Sequence, residues 1–162
     1  MTIPRNKAIF LDRDGVLNHD PGDYTQRVED FHILPGVLSV LKTWYEQGYK
    51  LIVITNQAGI AKGLYSHETV KAIHQYFQGK CVFEGFEITD FFYCPHHPEF
   101  SGKCLCRKPG SLLVEKGLHR YGLAPQDCVF IGDKPRDITC AEQAGVRGIL
   151  IGTNAPLKVE MI

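Results

Sequence analysis

Short apolar runs recur along the chain, each of strand length and each giving way to a polar or glycine-rich turn and then to a helix-like stretch. The runs are Ala8–Leu11, Leu51–Ile54, Ile88–Tyr93, Cys128–Ile131 and Gly148–Ile151. They are β-branched or aromatic and apolar at positions of both parities, the pattern of strands covered on both faces of a parallel sheet. Between them, Pro35-Gly36 precedes an amphipathic stretch from Val37 to Glu46 that stops at Gly48. Ser66 to Gln78 opens with Ser66-x-x-Thr69, an N-cap pattern, and ends at Gly79; Ser111 to Tyr121 and Arg136 to Ala144 end at Gly122 and Gly145. Strands alternating with helices predict a doubly wound α/β sandwich around a parallel sheet. At 162 residues the chain is expected to form one domain, residues 1–162, with no repeat and no linker.

Composition narrows the partners. Hydrophobic residues make up 44% and charged residues 22%, and the 18 basic side chains balance the 18 acidic ones. Such a balance offers no broad footprint for nucleic acid or an anionic membrane. The opening MTIPRNKAIFLDRDG lacks the apolar core of a leader, and no run approaches a membrane span, so a cytoplasmic protein is expected, with a monomer as the default state. In a reducing compartment six cysteines do not suggest a disulfide framework; Cys128 and Cys140 read as small core residues.

Ligands of such sheets bind beyond the carboxyl ends of the strands, so the polar residues after each apolar run carry the chemistry. After the first run comes Asp12-Arg13-Asp14-Gly15. Two carboxylates at i and i+2 can serve one ligand in two roles: Asp12 attacks phosphorus, and Asp14 protonates the leaving oxygen and later deprotonates water. A solvated aspartate-rich turn is the plain alternative. After the second run, Thr55-Asn56-Gln57 offers a hydroxyl and backbone N–H groups suited to a phosphoryl oxygen. In Arg107-Lys108-Pro109 the lysine suits the charge of a transferring phosphoryl group and Arg107 a second anion; otherwise they are a surface basic pair. Gly132-Asp133-Lys134-Pro135-Arg136-Asp137 follows the fourth run. Asp133 is placed to bind Mg²⁺, a cation that prefers oxygen ligands, and Asp137 to orient either Lys108 or a metal-bound water.

Each motif alone is weak; their order along four successive strands is specific. FLDRDG, VITNQ, RKP and FIGDKPRD resemble the four motifs of the haloacid dehalogenase superfamily of phosphatases, over nearly the whole chain. The resemblance implies a Rossmann-like core and a two-step reaction through an aspartyl phosphate on Asp12. It also implies Mg²⁺ held by the carboxylates of Asp12 and Asp133 and the backbone carbonyl of Asp14, with Thr55 and Lys108 stabilising the phosphoryl oxygens. The intervals between motifs are too short for an inserted cap domain, so a capless enzyme is expected.

Cys94-Pro95-His96 and Cys104-Leu105-Cys106 bracket a short polar loop. Four sulfur and nitrogen ligands in two close pairs suit a closed tetrahedral Zn²⁺ site, with His97 an alternative to His96. A closed site has a structural role and would fix the position of Arg107 and Lys108 directly after it. CPHHP…CLCRKP together with TNQAGIAKG makes the chain similar to the D-glycero-D-manno-heptose 1,7-bisphosphate phosphatases, and more distantly to histidinol-phosphate phosphatases. The first resemblance implies a small phosphorylated sugar as substrate, losing its 7-phosphate, with Asp20, Gly22, Tyr24, Asn56, Gln57, Arg107 and Lys134 in contact with it. Histidinol-phosphate phosphatase is the nearest rival reading. A polynucleotide 3′-phosphatase shares ITNQxGI but wants a basic tract, and a phospho-receiver domain has no need of Asp14.

Overall fold

The computed structural model describes residues 5–162. The first four residues of the N-terminal stretch discussed above lie outside that range. Five parallel strands form one sheet in the order β3-β2-β1-β4-β5: β1 Lys7–Leu11, β2 Tyr49–Asn56, β3 Asp90–Cys94, β4 Cys128–Gly132 and β5 Arg147–Leu150. Four helices connect them: α1 Val37–Glu46, α2 His67–Phe83, α3 Leu112–Arg120 and α4 Pro135–Gln143. No helix among the described residues is long and apolar enough to cross a membrane.

Alternation within the central strand divides the core in two. Ile9 and Leu11 face one way, into a cluster with Trp44 of α1, Leu51, Val53, and Ile73 and Phe77 of α2. Ala8 and Phe10 face the other way, into a cluster with Ile52, Ile54, Phe130, Val114 of α3, and Cys140 and Ala141 of α4. Apolar residues of both parities were the signature of this arrangement, because a parallel sheet is covered by crossover helices on each face. Cys128 and Cys140 are buried there as free thiols, the expected small core residues.

Element edges moved where burial outweighed punctuation. The α2 helix does not stop at Gly79 but runs on to Phe83, and the left-handed turn comes at Gly85. Ile73, Phe77 and Cys81, spaced by four, keep one face of the helix on the core past the glycine. Its start holds to the pattern, with Ser66 Oγ accepting from Thr69 N at 3.2 Å. Strand β3 likewise begins at Asp90 rather than Ile88. Ile88 is instead held by Gln78, whose carboxamide accepts from its N–H and donates to its carbonyl, each at 2.8 Å.

The chain runs outward from β1 through β2 to β3, then returns to β4 on the other side of β1. The crevice between the carboxyl ends of β1 and β4 is therefore the topological switch point, where open α/β sheets hold their ligands. No inserted domain covers it: β1 and β2 are joined by a loop, a 3-10 turn at Val28–Asp30 and α1, and β2 and β3 by a loop and α2.

Beneath this crevice His74 of α2 stacks on Phe91, ring centroids 4.6 Å apart, with its Nε2 3.4 Å from Arg13 Nη1. Burial first, and then the Arg13 charge, drive the imidazole pKa down from 6.5 to about 3. The native state thus refuses a proton that the unfolded chain accepts below about pH 6.5. Stability should fall as pH drops from about 6.5 toward 4, by up to about 1.4 kcal/mol per pH unit from this residue alone. In thermal unfolding across that range the His74→Gln variant is expected to lose less than wild type; parallel curves would show that His74 is not the titrating group.

Candidate active site

Asp12 follows β1, and its amide donates to Ile131 O at 3.0 Å, which fixes the turn against β4. Its Oδ1 accepts from Arg13 N at 2.8 Å and from Lys108 Nζ at 2.9 Å, leaving Oδ2 without a donor among the described residues. Lys108 is buried and spends its ammonium on three acceptors: Asp12 Oδ1, Ile54 O at 3.0 Å, and Asp137 Oδ1 at 2.7 Å. Burial alone would lower its pKa, but the charges of Asp12 and Asp137 win and hold it above the ordinary lysine value. Asp12 is pushed up to about 7, chiefly by burial, then by the negative charge of Asp137 and Asp14, with Lys108 opposing.

At the end of β4 the chain turns on Gly132, where a Cβ would lie 2.3 Å from that of Asp137. Asp137 caps α4: its Oδ2 accepts from Asp133 N at 3.1 Å and Lys134 N at 3.0 Å, which leaves Oδ1 to face Lys108. Asp133 Oδ2 accepts from Thr153 Oγ1 at 2.7 Å, whereas its Oδ1 is buried with no hydrogen-bond partner among the described residues. Gly15 makes room for this carboxylate, since a Cβ there would meet Asp133 Oδ2 at 2.4 Å. Oxygens of Asp12, Asp133 and Asp137 lie within 4.8 Å of one another. Lys108 pairs with two of these buried carboxylates and Lys134 Nζ lies 3.4 Å from Asp133 Oδ2. Three clustered carboxylates, one with an oxygen lacking a hydrogen-bond partner among the described residues, are a donor set that fits a hard divalent cation.

Asp14 stands on the solvent side. Its Oδ1 accepts from Arg13 Nη2 and Asn18 Nδ2, each at 2.9 Å, and its Oδ2 from Gln57 Nε2 at 3.0 Å. Burial pushes its pKa up, but the Arg13 guanidinium and these hydrogen bonds hold it below the usual carboxylate value. Gln57 also donates to Thr55 Oγ1 at 2.8 Å and accepts from Tyr65 OH at 2.7 Å, so one carboxamide ties Asp14 to the end of β2. The Asn56 carboxamide makes a reciprocal pair with the Lys108 backbone, accepting from its N–H at 3.0 Å and donating to its carbonyl at 3.2 Å.

A cavity of about 370 Å³ opens over Asp14, lined by Asp20, Gly22 and Tyr24 on one side and by Asn56, Gln57 and Lys134 on the other. Lys134 Nζ donates to Thr153 Oγ1 at 3.0 Å. Arg107 stands apart from this cavity: its Nη1 reaches His96 O at 3.4 Å, and it lines a separate groove of about 600 Å³ behind the cysteine loop. Arg13, Asn18, Tyr65, His74, Thr153 and Asn154 were not singled out from the sequence. Arg13, Asn18 and His74 are polar residues that the fold buries, a signal that surfaces only when burial is known. Thr153 and Asn154, polar residues just past the fifth apolar run, obey the strand-end rule applied to the other four.

The cysteine loop gathers into one cluster. Cys94 Sγ lies 3.6 Å from Cys104 Sγ and 3.1 Å from Cys106 Sγ, and His96 Nδ1 lies 3.2 Å from Cys106 Sγ and 3.6 Å from Cys94 Sγ. All four ligand atoms lie within 4.8 Å of one another, and none of the sulfurs is in a disulfide. Three sulfurs and one ring nitrogen fit a single tetrahedral thiophilic cation. His97 points elsewhere, its Nδ1 accepting from Glu99 N at 3.2 Å and its ring edge-on to Phe100.

A HAD-hydrolase-like family model matches residues 105–160. The chain is 37% identical over 156 residues to a D-glycero-alpha-D-manno-heptose-1,7-bisphosphate 7-phosphatase of Photorhabdus laumondii, covering 93% of this chain and 85% of that protein. It is 38% identical over 157 residues to a D-glycero-beta-D-manno-heptose-1,7-bisphosphate 7-phosphatase of Helicobacter pylori, covering 96% and 88%. A solved structure from B. bronchiseptica, a D,D-heptose 1,7-bisphosphate phosphatase complexed with magnesium and phosphate, superposes with a TM-score of 0.86 at 32% identity, covering 91% of this chain and 83% of that one.

The two histidines of the loop make a clean contrast. Replacing His96 by Ala should weaken thiophilic-cation binding by more than about tenfold, a loss at least as large as disturbing a ligand's supporting shell. His97→Ala should leave it unchanged. Competition with a chromogenic chelator measures both, and the reverse order would place His97 in the cluster.

Proposed function

Because this chain belongs to the heptose-1,7-bisphosphate 7-phosphatase family of the haloacid dehalogenase-like hydrolases, we propose that it removes the 7-phosphate of D-glycero-D-manno-heptose 1,7-bisphosphate and leaves heptose 1-phosphate. The observation that carries the reading is Asp12, buried at the switch point with Oδ2 free of donors among the described residues, beside Asp14 and Lys108. In this reading the whole chain works as one capless domain.

In the first step an Asp12 carboxylate oxygen forms a bond to phosphorus while the bond from phosphorus to the sugar oxygen breaks. Asp14 gives its proton to the departing oxygen. At rest Arg13 keeps Asp14 ionised; an incoming phosphate dianion beside it raises its affinity for that proton. In the second step the Asp14 carboxylate takes a proton from water, the water oxygen bonds to phosphorus, and the bond to Asp12 breaks. Lys108 and the Thr55 hydroxyl face the charge on the phosphoryl oxygens, and Asp137 keeps Lys108 aimed.

The carboxylates of Asp12 and Asp133 and the backbone carbonyl of Asp14 would hold Mg²⁺. When bound, the ion neutralises charge on the phosphoryl group and on the surrounding carboxylates. Cys94, His96, Cys104 and Cys106 would hold Zn²⁺ as a structural clip that sets the backbone of Arg107 and Lys108. Asp20, Gly22, Tyr24, Gln57 and Lys134 surround the cavity where the sugar would lie, with Asn56 steadying Lys108 from below. Arg107, which lines the separate groove behind the cysteine loop, would have to swing out of it to meet a second phosphate.

Two measurements test this. Asp14→Asn should cut turnover by at least about 100-fold, the ordinary worth of general acid–base catalysis, with circular dichroism unchanged; full activity would show that Asp14 is not the acid–base group. Phosphate release should be fastest from heptose 1,7-bisphosphate, assayed as both anomers, and should stop at one phosphate per sugar. A preference for histidinol phosphate or a 3′-phosphorylated oligonucleotide would end the heptose reading.

A further inference from the structure

The carboxyl end of β5 carries polar residues that the reaction scheme does not use. Thr153 steadies Asp133, as described. Asn154, next in the chain, sits at φ 63°, the one non-glycine among the described residues in the left-handed region. A side chain there costs about 1–2 kcal/mol in general, with asparagine among the better tolerated, and such residues persist where the surroundings hold them.

Three hydrogen bonds hold this one. Its backbone N–H donates to Gly15 O at 2.8 Å, on the turn that follows Asp14. Its Oδ1 accepts from Asp20 N at 2.7 Å, and its Nδ2 donates to Asp20 O at 3.0 Å. The carboxamide thus matches the donor and the acceptor of a residue 134 positions away, as a neighbouring strand would. Only asparagine offers that pair at this reach; aspartate lacks the donor, and glutamine is a methylene too long.

What hangs from Asn154 is the loop from Asp20 to Tyr24. Inside the loop Asp20 Oδ1 accepts from Gly22 N at 2.9 Å, with Gly22 at φ 85°, and Asp23 Oδ1 accepts from Tyr24 N at 2.7 Å. Between Asp20 and Tyr24 the hydrogen bonds to the rest of the described chain are the two made by Asn154; the Tyr24 ring adds an edge contact to Tyr65, centroids 6.1 Å apart. This loop forms one wall of the 370 Å³ cavity over Asp14, and a mobile wall cannot read a ligand precisely.

We propose that Asn154 is a specificity-determining positioning residue, which pins the Asp20–Tyr24 loop to the Asp14-Gly15 turn so that the loop can read the sugar, and takes no part in the phosphoryl transfer itself. The proposal rests on the phosphatase reading above for its substrate, but not for the pin. Truncating the carboxamide frees the wall while Asp12, Asp14, Lys108 and Asp133 keep their contacts. A substrate that needs the wall suffers, and one without a sugar does not.

The test uses the full chain with Mg²⁺ and two variants. Asn154→Gly removes the carboxamide and accepts the positive φ without strain, so loss of fold is not at issue. Asn154→Asp keeps the shape and Oδ1 but sets an oxygen against Asp20 O. In both, kcat/KM for heptose 1,7-bisphosphate should fall by at least about tenfold, mostly through KM, while turnover of p-nitrophenyl phosphate stays within about twofold. Amide hydrogen exchange over residues 20–24 should quicken in both. Unchanged exchange would overturn the pin, and faster exchange with equal losses on both substrates, or with none, would overturn the specificity role. If wild type releases phosphate from other esters but not from the heptose bisphosphate, the functional reading fails. The pin is then judged by exchange and by its best ester against p-nitrophenyl phosphate.

Discussion

Lys108 brings its Nζ within 3.0 Å of Asp12, Asp137 and the Ile54 carbonyl in a space closed to solvent, and Asp133 adds a third carboxylate with one oxygen unpartnered among the described residues. Buried charges are costly unless paired, so the elements that bring them together must be held hard. Each is: Asp12 by the hydrogen bond its N–H donates to β4, Lys108 by the reciprocal pair with Asn56, Asp137 by capping α4, and Asp133 by Thr153. The crowding of carboxylates suits the crevice to a divalent cation, and burial with repulsion from Asp137 and Asp14 pushes Asp12 up to about 7 against the opposing charge of Lys108.

The cysteine loop contributes to the same constraint from outside. Cys106 is followed at once by Arg107 and Lys108, so a clip that fixes Cys94, His96, Cys104 and Cys106 also fixes where the lysine leaves the loop. The cluster sits at the carboxyl end of β3, next to β2, whose last residue, Asn56, grips the Lys108 backbone from the other side. The lysine is thus held between a sheet and a loop that is too short for a core of its own. In the proposed reading, selection of the sugar falls to the Asp20–Tyr24 loop, which Asn154, after β5, holds through two hydrogen bonds.

Much of this was legible because the two main signals are local. Apolar runs with residues of both parities marked five strands, and the polar residues after four of them marked Asp12, Asp14, Thr55, Lys108, Asp133 and Asp137. The structure brings Asp12, Lys108, Asp133 and Asp137 into one buried cluster, with Asp14 and Thr55 linked through Gln57. The helix end at Gly79 was misread because a glycine's stop signal is weak beside Phe77 and Cys81 continuing the buried face. The supporting residues were not legible for a different reason. Arg13, Asn18 and His74 support Asp14 or one another from buried positions, and nothing in their local sequence distinguishes a buried partner from a surface polar residue. Asn154 did carry the strand-end signal, but its partner Asp20 lies 134 residues away. The sequence offered His97 as an alternative to His96, and the direction in which the backbone presents each ring separates them.

The central claim is that Asp12 is the atom-bearing nucleophile. A crystal structure of the protein grown with Mg²⁺ and beryllium fluoride tests it most directly. The account predicts a trifluoroberyllate bonded to an Asp12 carboxylate oxygen, beside Thr55 and Lys108, with the cation shared by Asp12 and Asp133. A mimic bound away from Asp12, or the Asp12 carboxylate turned from it, would contradict the account.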